Sequence, residues 1–186
     1  MSRLPVLSAC GAFALATITV VVPIVTSGGV AAAAADPSVE ASCQGNLSGT
    51  TFTLTRNCDT TVQLTVPDGH TINGGGFAID AHDASASSLF GGAVLTNAGT
   101  SMNITNLTVR GTGFATNCTQ LGLYGIFFND ASGSVNQVQV LDITQHSGCQ
   151  LGLGIRANAL NGTARNVMIT NTVVSATRSR RWSRRG

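Results

Sequence analysis

Apolar and polar residues alternate along much of this chain, and the alternation itself recurs. Val62, Leu64 and Val66 are separated by Gln63 and Thr65. Leu107 and Val109, Val138 and Val140, and Val167 and Ile169 keep the same spacing of two. A period of two belongs to a strand with one buried face, not to a helix. Three stretches then repeat: Ala93-Val94-Leu95-Thr96-Asn97, Gly125-Ile126-Phe127-Phe128-Asn129 and Gly154-Ile155-Arg156-Ala157-Asn158. Their asparagines stand 32 and 29 residues apart. Asn106, Gln137 and Asn166 form a second set, advancing by 31 and 29. Two registers that advance together mark a structural repeat.

A strand-rich coil of about thirty residues cannot bury its own inner face, so it needs neighbours above and below. The sequence therefore predicts an all-β parallel β-helix, a solenoid of about four coils with three short strands per coil. In the coil after Ile79 the inward residues are Val94 and Thr96, then Ile104, then Leu107 and Val109. The next coil offers Ile126 and Phe128, Val135, then Val138 and Val140. The last offers Ile155 and Ala157, Ala164, then Val167 and Ile169. Stacked copies place like on like, so Asn97, Asn129 and Asn158 are expected to form an amide ladder inside a turn. Asn106, Gln137 and Asn166 are expected at a second corner. Pro67-Asp68-Gly69 reads as a tight turn.

The run Val66-Pro-Asp-Gly-His-Thr-Ile-Asn-Gly-Gly-Gly-Phe-Ala-Ile79, with Asn103-Ile-Thr-Asn-Leu-Thr-Val109 and the repeated asparagines, resembles the secreted right-handed parallel β-helix proteins of the pectate-lyase-like superfamily. The resemblance covers roughly 62–174. It implies a right-handed helix and an outer face that meets acidic polysaccharide. For the lyases it implies calcium held by carboxylates and an Arg or Lys that removes the proton beside a uronate. Calcium takes six to eight oxygens and offsets the developing enolate charge. The small-residue-rich composition looks bacterial.

Four segments follow from composition. Residues 1–35 read as a secretory signal peptide: Arg3, a mostly apolar run, then Ala33-Ala34-Ala35 before Asp36. A membrane anchor is the competing reading, because the apolar run approaches spanning length. Pro23 and Gly28-Gly29 favour cleavage, so the chain is expected in the extracellular space with no stable membrane insertion. Residues 36–61 read as an entry or cap segment, 62–174 as the β-helix and 175–186 as an Arg-rich irregular tail. That tail is a basic arm, a solvated terminus, or the product of a lost reading frame in a longer β-helix; truncation is the expectation. The expected state is a monomer, unless a truncated edge self-associates.

Outside the signal lie Cys43, Cys58, Cys118 and Cys149. Export permits disulfides, and four cysteines allow three pairings. Cys118-Thr-Gln-Leu-Gly-Leu and Cys149-Gln-Leu-Gly-Leu occupy equivalent places in neighbouring coils, which favours Cys118–Cys149 and leaves Cys43–Cys58 to close the N-terminal segment. The formal charge of +2 is misleading. Without Arg3 and the tail, four arginines face eight acids, so the body carries −4. No nucleic-acid partner is expected.

The chemistry is sparse. Asp80, His82 and Asp83 form the densest polar cluster, and Asp80 with Asp83 is the one candidate pair for a metal such as Ca²⁺. Arg156 lies between inward Ile155 and Ala157 and so faces out, with Phe127 and Leu95 as its equivalents. Arg156, Phe127 and Asp130 are the candidate ligand contacts. Inverting glycosidases need two suitably spaced carboxylates, and no adjacent aspartates or Gly-His-Gly element occur. No catalytic set can be named. The sequence supports a non-catalytic protein that binds polysaccharide or a cell surface; the alternative is a lyase or hydrolase of acidic polysaccharide whose catalytic residues are weakly marked or lost.

Overall fold

The computed structural model describes residues 35–114, 122–144, 152–159 and 165–175. All of the proposed signal but Ala35, most of the Arg-rich tail and the Cys118–Cys149 pair lie outside these residues. A short helix, α1 (Val39–Ser42), comes first, with Ser38 as its N-cap: the Ser38 hydroxyl accepts from the Ala41 N–H at 3.2 Å. The strands are β1 (Gly45–Ser48), β2 (Thr51–Leu54), β3 (Cys58–Thr60), β4 (Leu64–Val66), β5 (Thr71–Asn73), β6 (Ala78–Ala81) and β7 (Gly92–Asn97). They continue with β8 (Ser101–Gly111), β9 (Leu123–Asn129), β10 (Ser132–Leu141), β11 (Gly152–Asn158), β12 (Val167–Thr170) and β13 (Val173–Ser175). Among the described residues no helix is long and apolar enough to cross a membrane.

These strands build a parallel β-solenoid of about three turns. One face is a four-stranded sheet in the order β11-β9-β7-β4. The repeats in the sequence predict about four coils; the solenoid has about three turns. The other two faces belong to a single nine-stranded sheet bent at a corner. On its first half β2, β5, β8, β10 and β12 pair in parallel; on its second half β3, β6, β8, β10 and β13 do so. Parallel pairing already includes β2 and β3, within the segment read as an entry. Among the described strands only β1 runs antiparallel, along β2.

Single left-handed residues make the corner between the two halves. Asn106 inside β8 has φ 49°, Gln137 inside β10 has φ 55°, and Asn171 between β12 and β13 has φ 48°. One residue of this hand turns a strand without a loop, and asparagine tolerates the region better than most residues. One coil earlier the same corner is spelled Asn73-Gly74-Gly75-Gly76. There a Cβ on Gly74 would lie 2.3 Å from the Asn106 carbonyl oxygen, so only glycine fits beneath that corner.

The corner corrects one expectation. Asn171, not Asn166, stacks under Gln137. β11 pairs with β9 at an offset of 29 residues, as Asn129 with Asn158. β12 pairs with β10 at 34, as Asn136 with Thr170. Five extra residues therefore lie between β11 and β12. Val167 sits beside Gly133 rather than Val138, and Val174 takes the place beside Val140 that was expected for Ile169.

Three stacked columns run through the core. Leu64, Leu95, Ile126 and Ile155 form one. Phe52, Ile72, Ile104, Val135 and Ile169 form the second. Cys58, Ile79, Val109, Val140 and Val174 form the third. Interior members are buried completely or nearly so, each worth roughly 1.5–3 kcal/mol of transfer free energy. The N-terminal end is closed by α1, whose Val39 is fully buried, and by a Cys43–Cys58 disulfide with Cα atoms 5.3 Å apart.

Candidate functional site

The outer side of the four-stranded face carries the most distinctive chemistry, and a slip in strand phase creates it. In β9, Leu123, Gly125, Ile126 and Phe128 are buried, while Tyr124 and Phe127 are half-buried. A Cβ on Gly125 would lie 2.4 Å from Val140 Cγ1, so Gly125 faces the core, and the next residue, Ile126, continues a core column. Two successive inward positions put the flanking Tyr124 and Phe127 on the same outer face. Their ring centroids are 5.3 Å apart. Strict alternation would have sent them to opposite faces.

Arg156 joins them from the next coil. It is the register partner of Phe127. Its guanidinium carbon lies 5.0 Å from the Tyr124 ring centroid and 5.1 Å from that of Phe127, within cation–π range. One of its Nη groups donates to the Tyr124 hydroxyl. Among the described residues Arg156 pairs with no carboxylate. Among the described residues most of its five N–H donors have no hydrogen-bond partner. Below Phe127 the outer column continues to Thr96, not Leu95. The offset through this strand is 31, so Leu95 stacks in the core between Leu64 and Ile126, and Thr96 turns outward to donate its hydroxyl to the Phe127 carbonyl at 3.1 Å.

Other candidates sit elsewhere. Asp130 is a left-handed corner residue (φ 53°) just past β9, and its Oδ1 accepts from Arg165 Nε at 3.0 Å. That bond raises the Arg165 pKa above its ordinary value. Asp80 lies on the third face, where both its oxygens accept from Arg110, at 2.7 and 3.1 Å. This two-point contact, and then the Asp80 charge, raises the pKa of Arg110. Asp83 turns its Oδ1 to the Phe90 N–H at 2.6 Å. Both carboxylates of the candidate metal pair thus have protein partners. Among the described residues no group of three or more His, Cys, Asp or Glu could hold a metal ion.

The asparagine stack is side chain to backbone. Asn97 Nδ2 donates to the Asn129 carbonyl at 3.0 Å, and Asn97 Oδ1 accepts the Asn129 N–H at 2.7 Å. Above it, the Asn158 carbonyl accepts from the Asp130 N–H at 2.8 Å. His70 pairs through Nδ1 with Glu40 on α1.

Tyr124 is the member of the outer cluster that strand alternation missed. Its signal was the spacing Tyr-Gly-Ile-Phe: two aromatics three apart across a glycine, which lets the strand slip phase without a side chain to place. Compared with family models, curated proteins and solved structures, the chain matches none.

Proposed function

We propose that this is an exported, non-catalytic β-helix protein that binds acidic polysaccharide through Tyr124, Phe127 and Arg156. The observation that carries the reading is an arginine, unpaired with any carboxylate among the described residues, held over two aromatic rings on an outer face. Sugar rings pack on aromatic faces, and a uronate carboxylate matches the guanidinium fork. The likeness of Val66–Ile79 to the pectate-lyase-like superfamily supports the same ligand class, and the leader-like residues 1–35 support export.

Titration calorimetry with oligogalacturonate, against a neutral galactan, tests the site. Arg156→Gln should weaken acidic-ligand binding roughly tenfold, since a hydrogen bond to a charged group contributes roughly 1.5–3 kcal/mol. Absence of binding to either glycan would reject the proposal. For export, N-terminal sequencing of protein from the culture medium should begin near Asp36; an intact Met1 terminus in the membrane fraction overturns that half.

A further inference from the structure

The first half of the nine-stranded sheet ends on two strands that have a neighbour on one side only. Among the described strands β1 pairs only with β2, and β12 only with β10. α1 closes the interior of the first coil beside β4, and β1 keeps one edge with no strand against it. Sheets commonly protect such edges with charge, proline or bulges. β1 reads Gly-Asn-Leu-Ser and β12 reads Val-Met-Ile-Thr, with neither charge nor proline and with unbroken register. Both edges are also apolar on the core side. Leu47 is the register partner of Phe52 and is 53% exposed, and Ile169 is the partner of Val135 and is 50% exposed. They are the two half-exposed ends of one core column.

Charge selects what covers them. Residues 36–83 hold six of the eight acids, Asp36, Glu40, Asp59, Asp68, Asp80 and Asp83, and one arginine, Arg56. Residues 152–186 hold seven arginines and no acid, and five of those arginines follow β13 in the chain. The coil that begins the solenoid is therefore acidic and the coil that finishes it is basic. Two like ends repel, and two unlike ends attract.

We infer that each open edge is covered by a second copy of this chain, stacked head to tail, with β1 of one copy along β12 of the next. β1 runs antiparallel to β2, and the other strands of this half run parallel to one another. Copies stacked in one direction therefore bring β1 against β12 in the antiparallel sense. A register with Leu47 beside Ile169 sets Ser48 beside Met168 and Asn46 beside Thr170 on the outer side, and it joins two core columns into one. A contact between unlike ends does not close, so copies add in a line. Contacts between like ends would set arginines against arginines or acids against acids. The inference is independent of the Tyr124–Phe127–Arg156 site, which lies on the four-stranded face.

Sedimentation velocity on the purified protein, over a concentration series, tests it. The expected result is species beyond the dimer that grow with concentration and shorten as added salt screens the ends. Leu47→Lys places a cation on the acidic end, and Ile169→Glu places an acid on the basic end. Both positions are exposed, so circular dichroism and melting temperature should hold. Each variant alone should run as a monomer. Mixed in equal amounts they should give a dimer and nothing larger, because each supplies the end that the other lacks. A wild type that is monomeric at every concentration overturns the inference. So does a wild type that stops at the dimer and is broken by Ile169→Glu but not by Leu47→Lys, which is the signature of a tail-to-tail pair. Association of the wild type with no dimer in the mixture of the two folded variants overturns it as well.

Discussion

The two ends of the solenoid use the same core columns under opposite conditions. At the N-terminal end α1 lies over the first coil, Cys43 is bonded to Cys58, and Glu40 reaches His70 thirty residues away. Phe52, the first member of its column, is 3% exposed. At the other end Ile169 and Val174 finish their columns at 50% and 44% exposure. These are inward residues by register and surface residues by solvent. An apolar residue in a solenoid is therefore only as stabilising as the rung that follows it.

The largest test of that contrast compares two isoleucines of one column. Ile104→Ala should cost about 2–5 kcal/mol, because Ile104 is fully buried between rungs. Ile169→Ala should cost about 1 kcal/mol or less, since half its surface already meets water. Urea denaturation of both variants checks it; equal losses would mean that the last rung is covered in solution. Next in size is the cap. Replacing Cys43 and Cys58 together by alanine opens a loop with a sequence separation of 15 and should cost about 3 kcal/mol. Native-state hydrogen exchange should show the loss beginning in β2 and β3. An unchanged melting temperature would mean that α1 holds the end by packing alone.

Smaller effects separate the interior rungs from the ends. Asn97→Ala removes two bonds to the Asn129 backbone and should cost about 1–2 kcal/mol. Asn129→Ala leaves those bonds in place and should stay within about 0.5 kcal/mol. Thermal melts that rank the two the other way would show that the amides bond to each other instead. The smallest effect is at Asp68. Its carboxyl accepts from the Ser101 and Thr100 N–H groups at 2.9 and 2.8 Å, which lowers its pKa below the ordinary 3.8. A lowered folded pKa means the contribution is complete above the unfolded value and is lost as pH falls through the folded one. Asp68→Asn should therefore flatten the loss of stability below about pH 4, measured by urea midpoints across that range. An unchanged acid limb would remove Asp68 from that role.

Much of this fold is legible in the sequence. The period of two fixed the inward columns at Leu64, Ile104, Val109 and Ile126, because burial on one face of a strand enforces alternation. The Cys43–Cys58 pairing followed from the expectation of export and from the equivalent places of Cys118 and Cys149 in the sequence repeat. The reading faltered where the repeat changed length. The extra residues before β12 moved the corner from Asn166 to Asn171. The slip at Gly125 and Ile126 hid Tyr124, because alternation carries no record of a bulge at glycine. For the candidate site, Phe127 and Arg156 were visible as stacked equivalents. Asp130 was visible only as a neighbour in sequence, and its Oδ1 is held by Arg165 at a corner.

The one-residue corner at Asn106 and Gln137 also sets a rule for inheritance. A residue gained or lost there would invert the facing of every side chain in the following half-strand, sending Val109 and Val140 to water and Arg110 to the core. The interval between β11 and β12 took in five residues with no such inversion, because both of its flanking strands kept their own facing. Change in chain length is thus barred at one corner of each coil and open at another. Lineages of this fold should diversify by lengthening that second corner, beside the outer face that holds Arg156.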